Sequence, residues 1–336
     1  MSRQPRLSAA LALALAAGVC AALGAGPAGA YVLYRSAGGA ALSWRQSCVS
    51  ITAYPADLTD MLAEQVMGAA WAAADAWSAD QNPGTFLVLS VSSSIAPAPQ
   101  AILDRHNSLT FRRTDWCGPP ARPATDGCQR DPTALALTTV FARSSDGAII
   151  DADIEVNAEY FTWVDLDRAP LAVQQQDLQN ALAHEMGHLI GLDHPCYSPG
   201  NTSGARPLDN LGNPAPDCAS APDDLREATM FPSAESGQTS KRTLAPDDQL
   251  ALRDLYPADQ DPMLCPPATP GPSSGCRMSG VAARDRPWAG VGLIAGLVVV
   301  LSLRRRRGAG PVDASATTAT SRSGQRSRTR PGTGAR

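Results

Sequence analysis

Three of the chain's four histidines fall within fourteen residues, 181–194, in the run ALAHEMGHLIGLDH. His184 and His188 are four apart, so on a helix they project from one face, a turn apart. Two imidazoles so placed can share one metal ion. Glu185 lies beside the first of them, where its carboxylate can reach a water on that metal without itself being a ligand. His194 comes six residues after His188, and a continuing helix would carry it away from the pair. Gly191 stands between them, and a glycine at positive φ ends a helix and turns the chain back. Three nitrogen ligands with a fourth position open is the arrangement of a catalytic zinc site rather than a structural one. His-Glu-x-x-His is expected by chance about once in a thousand chains of this composition, and the form extended through Gly191 and His194 roughly once in a million. A zinc site without catalysis would have no use for Glu185.

The surrounding sequence supplies elements to hold these residues. A helix is expected over 177–190, carrying the histidines, and another over 58–78, where Leu62, Val66, Ala70, Ala73 and Trp77 recur on one face. Extended segments are expected at 31–35, 49–54 and 85–91. Segments 135–143 and 148–157 read as two strands joined at Ser145-Asp146-Gly147. The second alternates, with Ile150, Ala152, Ile154 and Val156 on one face and Asp151, Asp153, Glu155 and Asn157 on the other. That pattern makes it a candidate edge for pairing with an extended peptide, with a solvated acidic face as the plainer alternative. Asp146, Asp151 and Asp153 are candidates for binding calcium. A last helix is expected over 246–256, with Pro246 at its start and Pro257 stopping it. Strands and a few helices in mixed order suggest an α+β or α/β layer domain over residues 31–258, of which α+β is the expected class.

The run from His184 to His194 resembles the zinc signature of the metzincin metallopeptidases. Met230, in EATMFP, stands thirty-six residues after His194, where that clan carries a methionine in a tight turn beneath the metal. Within the clan, TMFP, RTLAPDDQLALRDLYP at 242–257 and DGAIIDADIEVN are similar to matrixins. The resemblance implies a twisted mixed sheet packed with an active-site helix and a C-terminal helix, and zinc in the cleft. It implies His184, His188 and His194 as ligands, Glu185 as general base, and protein or peptide as substrate. Some features depart from the pattern. Pro195 follows the third histidine, Phe231-Pro232 leaves no tyrosine two residues after Met230, and only His106 remains for a second zinc site. WCGPP at 116–120 faintly resembles the Cys-switch of latent matrixins, but it lies inside the domain and reads better as a disulfide to Cys128. Too few residues precede Trp44 for a prodomain.

Outside the domain, residues 1–30 read as a secretory signal with a charged start, an apolar stretch and the small-residue site Ala28-Gly29-Ala30. Export permits disulfides. Proximity pairs Cys117 with Cys128 and Cys196 with Cys218, leaving Cys48 with Cys265 and Cys276 as the odd one. Residues 259–286 are a Pro/Gly/Ser-rich linker, and the seventeen residues 287–303 carry no charge and read as a transmembrane segment. Residues 304–336 hold nine Arg and one Asp, about +8, leaving about −12 for the rest of a chain of net charge −4. That basic tail is expected to be disordered and, by the positive-inside rule, cytoplasmic, with the domain at the cell surface. Cys276, the spacer, the apolar span and residues 304–307 together resemble the MYXO-CTERM type of sorting tail, which implies processing near Cys276. No nucleic-acid partner is expected, the membrane is the partner of the C-terminal segment, and the protein is expected to be a monomer. The leading expectation is an exported zinc endopeptidase. A non-catalytic binding or adhesion module on the same shell, and a maturation protease for one partner, stay open at this point.

Overall fold

The computed structural model describes residues 31–118, 130–168, 175–198, 206–265 and 314–323. The fold is α+β. Strands β2 (Cys48–Ala53), β3 (Val88–Ser93), β4 (Ser108–Arg112), β5 (Ala134–Arg143) and β6 (Ile149–Asn157) form a mixed five-stranded sheet in the order β3-β2-β4-β6-β5. The first four are parallel, and β5 joins antiparallel to β6 through the hairpin expected at Ser145-Asp146-Gly147. Along the outer edge of β5 runs β11 (Ala314–Ser323), antiparallel, and β10 (Ser233–Ala234) pairs parallel with its end. Two small pairs complete the strands: β1 (Val32–Leu33) with β9 (Leu192–Asp193), and β7 (Thr162–Val164) with β8 (Gln175–Asp177).

Helix α1 (Ala63–Trp77) and helix α2 (Leu178–Leu189) pack on each other and on the sheet. The small residues Ala70, Ala73 and Ala74 of α1 are buried and allow a close approach. Trp77 is fully buried and its indole N–H donates to the Ala183 carbonyl of α2 at 2.7 Å. Helix α1 starts five residues later than expected. The chain first makes a 3-10 turn at Pro55–Asp57, and the helix begins where the Gln65 side chain accepts the Leu62 N–H. A one-turn helix α3 (Asp223–Arg226) and the helix α4 (Pro246–Leu255) follow.

Three expectations are corrected. First, β6 is not an edge. It lies between β5 and β4, and its acidic face is buried rather than solvated: Asp151, Asp153, Glu155 and Asn157 are each at most 1% exposed. The reason is that the neighbouring strand β4 and the loops beside it satisfy this face. Glu155 is held by Arg112 and Arg130, Asp153 by the backbone N–H and hydroxyl of Ser108, and Asp151 by the N–H groups of Asp104 and Arg105. Second, the folded body continues past residue 258. The Ser47 N–H donates to the Leu264 carbonyl at 2.9 Å, and Cys48 is bonded to Cys265. Third, residues 314–323 are a strand rather than part of a disordered tail. The Arg clusters dominate the tail's composition, yet ASATTATS carries no charge and is rich in β-branched Thr.

The Cys48–Cys265 and Cys196–Cys218 disulfides are both formed, as expected of an oxidising compartment. Cys128, the expected partner of Cys117, and Cys276 lie outside the described residues, as do the expected signal (1–30) and span (287–303). Among the described residues no helix is long and apolar enough to cross a membrane.

Candidate metal centre

Helix α2 is fixed at both ends and in its middle. Asp177 caps its start, accepting from the Asn180 N–H at 2.8 Å, and Arg242 grips the same carboxylate with two hydrogen bonds of 2.8 and 2.6 Å. At its other end the Ile190 carbonyl accepts from the Tyr256 hydroxyl at 2.6 Å, and the Leu189 carbonyl from the Trp44 indole at 3.0 Å. These aromatic donors satisfy orphan helix carbonyls without water. Gly191 then reverses the chain at φ 107°, and a Cβ there would sit 2.2 Å from the Leu42 carbonyl oxygen. Only glycine fits that turn.

The turn delivers His194 to the other two histidines. The Nε2 atoms of His184, His188 and His194 form a triangle with edges of 3.1, 3.1 and 3.2 Å. A tetrahedral ion with Zn–N bonds of about 2.0–2.1 Å sets its ligand nitrogens about 3.3–3.4 Å apart, so the triangle is within a few tenths of an ångström of that geometry. The other ring nitrogens explain the protonation state. His184 Nδ1 lies 2.7 Å from the Thr229 carbonyl, and His188 Nδ1 lies 2.9 Å from the Leu192 carbonyl. A carbonyl only accepts, so both Nδ1 atoms carry the proton and both Nε2 atoms present lone pairs. Lone pairs converging at 3.1 Å could hold a cation between them. Burial pushes all three imidazoles well below their ordinary pKa, His188 to about 3, with the charge of Lys241 acting in the same direction. All three are therefore neutral and ready to ligate at neutral pH. No other group of three or more such side chains is close enough to hold an ion among the described residues.

Glu185 is completely buried, and its Oε2 accepts from the Thr138 hydroxyl at 2.6 Å. Thr138 sits in the middle of β5, so the sheet edge and the acid are one unit. Met230 packs against the histidine helix at Gly187. An added Cβ on Gly187 would meet Met230 Sδ at 2.2 Å and Trp77 Cζ2 at 2.8 Å, so the methionine packs directly on the helix backbone where no side chain intervenes. Its turn is held from below. The Asp248 carboxylate accepts from the N–H groups of Thr229 (2.7 Å), Met230 (3.3 Å) and Ala245 (3.1 Å), and the Lys241 ammonium donates to the Phe231 carbonyl. Burial raises Asp248 to about 7, with neighbouring Asp247 adding to it, and lowers Lys241 to about 7.

The structure thus brings together His184, Glu185, His188, His194, Gly191 and Met230. It does not bring the calcium candidates together. Asp146 is exposed in the hairpin and paired with Arg143 at 2.6 Å, away from buried Asp151 and Asp153. Each of those two retains one buried carboxylate oxygen without a hydrogen-bond partner, Asp151 Oδ1 and Asp153 Oδ2. Sequence reasoning missed Thr138, Lys241, Asp248 and Gly187. Lys241 carried a signal, as the chain's single lysine, in a stretch that packs under the site. Thr138 carried none, because its role depends on a strand packing against a helix forty-seven residues away.

No family model and no curated protein matches this chain. The functional reading therefore rests on the site itself and on the motif at 184–194.

Proposed function

We propose that the protein is an exported zinc-dependent endopeptidase with a matrixin-like metzincin domain. The observation that carries this reading is the Nε2 triangle, with two second nitrogens pinned to carbonyls, directly beside a buried glutamate. His184, His188 and His194 would hold a zinc ion there, and that ion would supply a water of lowered pKa and Lewis-acid polarisation of a carbonyl. Glu185 accepts a proton from the attacking water and passes it to the leaving amine. The Thr138 hydroxyl fixes which carboxylate oxygen faces away from that transfer. Met230 and Trp77 set the depth of the helix, and Asp248 and Lys241 hold the turn that carries Met230. With β11 displaced, the outer edge of β5 would offer backbone groups to an extended polypeptide, which favours protein substrates over small amides. Localisation outside the cytoplasm follows from the two disulfides and the expected signal. We place the anchor, if retained, at 287–303.

The test is metal dependence. The purified chain should contain one zinc and cleave casein or gelatin. Phenanthroline should abolish cleavage and stoichiometric zinc should restore it. His194→Ala should lose both metal and cleavage while keeping its disulfides. Cleavage that survives complete removal of zinc would refute the reading.

A further inference from the structure

We propose that residues 314–323, from the chain's own tail, are a built-in occupant of the peptide-binding edge and lie where an extended substrate would lie. Calling the occupant substrate-like rests on the endopeptidase reading; the occupancy itself rests on the register. Strand β11 pairs antiparallel along nearly all of β5, from Ala314 opposite Arg143 to Arg322 opposite Ala134. Ala319 stands opposite Thr138, the residue whose hydroxyl holds Glu185 at 2.6 Å. The tail therefore crosses the sheet edge at the level of the acid, and its Cα atoms come within 8 Å of those of α2. At the C-terminal end Arg322 and Ser323 pair parallel with Ser233 and Ala234, which directly follow the Met230 turn. The segment is thus gripped from two sides, by a strand on one and by the post-methionine segment on the other. Main-chain pairing of this kind recognises an extended backbone.

The sequence suits such an occupant. ASATTATS has small and β-branched residues only and no charge, between Asp313 and Arg322. Forty-eight residues, 266–313, connect it to Cys265. At up to about 3.3 Å per residue a connection of that length spans far more than the domain, so it is long enough to return to the sheet. Tethering at that scale gives an effective concentration on the order of 1 mM. A ten-residue strand with a Kd of about 0.1 mM would then fill the edge about 90% of the time and slow an outside substrate about tenfold. The strand also covers an edge that would otherwise invite pairing between chains. It is incompatible with the expected membrane topology in one and the same molecule. A span at 287–303 with the tail across the membrane removes β11 from the sheet, so anchoring would free the edge.

The experiment compares the full chain from residue 31, in mild detergent, with the double variant Thr318→Pro/Ala319→Pro. Alternate residues of a strand donate to a given neighbour, so adjacent prolines remove a donor toward β5 whichever parity applies. Neither substitution touches the domain's own sequence. Hydrogen exchange of β5 amides is the first readout, and cleavage of a reporter peptide is the second. The expected result is exchange at least tenfold faster for those β5 amides that face outward, with no change in those paired to β6. Cleavage should rise about tenfold, and a synthetic 314–323 peptide should compete with the reporter on the variant. Unchanged β5 exchange overturns the occupancy. Faster exchange with unchanged cleavage overturns the substrate-like placement. Faster exchange with no cleavage by either form supports the occupancy and removes the endopeptidase reading instead.

Discussion

Gly187→Ala tests whether Met230 packs on the histidine helix as described. On an exposed helix the change would stabilise by about 1 kcal/mol, because alanine is the better helix former. Here the new Cβ would lie 2.2 Å from Met230 Sδ, 3.1 Å from Met230 Cε and 2.8 Å from Trp77 Cζ2. Comfortable carbon contacts lie at about 3.5–4.0 Å, so the overlap exceeds an ångström with sulfur and approaches it with the indole. Both neighbours are buried, with Trp77 at 0% and Met230 at 2% exposure, so neither can swing into solvent. Overpacking of this sort costs about 1–3 kcal/mol or more, which outweighs the propensity gain. Met230→Ala alone should cost about 2–5 kcal/mol by leaving a cavity. In the double variant the new methyl enters that cavity, so its loss should fall short of the sum of the singles by more than about 1 kcal/mol. The assay is urea unfolding of all four proteins with zinc present. A Gly187→Ala protein as stable as the parent, or strict additivity in the cycle, would show that the methionine does not sit against the helix backbone.

Thr138→Val removes the hydroxyl that holds Glu185. A hydrogen bond to a charged group contributes about 1.5–3 kcal/mol, so kcat/KM should fall roughly ten- to a hundredfold with zinc content unchanged and Thr138→Ser near wild type; equal activity in Val and Thr would contradict the assigned role. Burial raises Asp153 to about 7, so the native state holds a proton there that the unfolded state has released, and this group's contribution to stability falls as pH rises from about 4 to about 7. In chelator, the stability of Asp153→Asn relative to wild type should therefore improve across that range, and a flat difference would contradict the shift. Calcium that raises the wild-type Tm but not that of Asp153→Asn would assign the two unpartnered oxygens to a cation, whereas no rise would retire calcium for this pair. Replacing Cys48 and Cys265 by Ser opens a closure between residues 217 apart and should cost about 5 kcal/mol in the chain-entropy account; a Tm within a degree or two of the parent would show that the ends are held without it.

The site was more legible in the sequence than the fold around it. The three clustered histidines, Glu185 and the reversal at Gly191 are local in sequence, so spacing and helical geometry suffice to place them. Met230 was legible only by resemblance, since nothing within EATMFP says what lies above it. The long strands β5 and β6 and the helices α2 and α4 carry periodicity or proline punctuation, and their ends shift by one or two residues at most. Strand β4 was missed because SLTFR is short and only weakly patterned. The burial of the acidic face of β6 was missed for a different reason. Alternation shows that two faces differ, but which face meets solvent depends on loops such as 94–107, whose course no local pattern sets. The same holds for β11, whose partner strand lies about 180 residues earlier in the chain.

The most direct test of the central claim measures zinc and peptide-bond cleavage together in the native protein and in Glu185→Ala. The account predicts one zinc per chain in both, because Glu185 is not a ligand, and cleavage only in the native form. Zinc lost with the glutamate would make it a ligand. Cleavage retained without it would deny the carboxylate the proton transfer on which the mechanism depends.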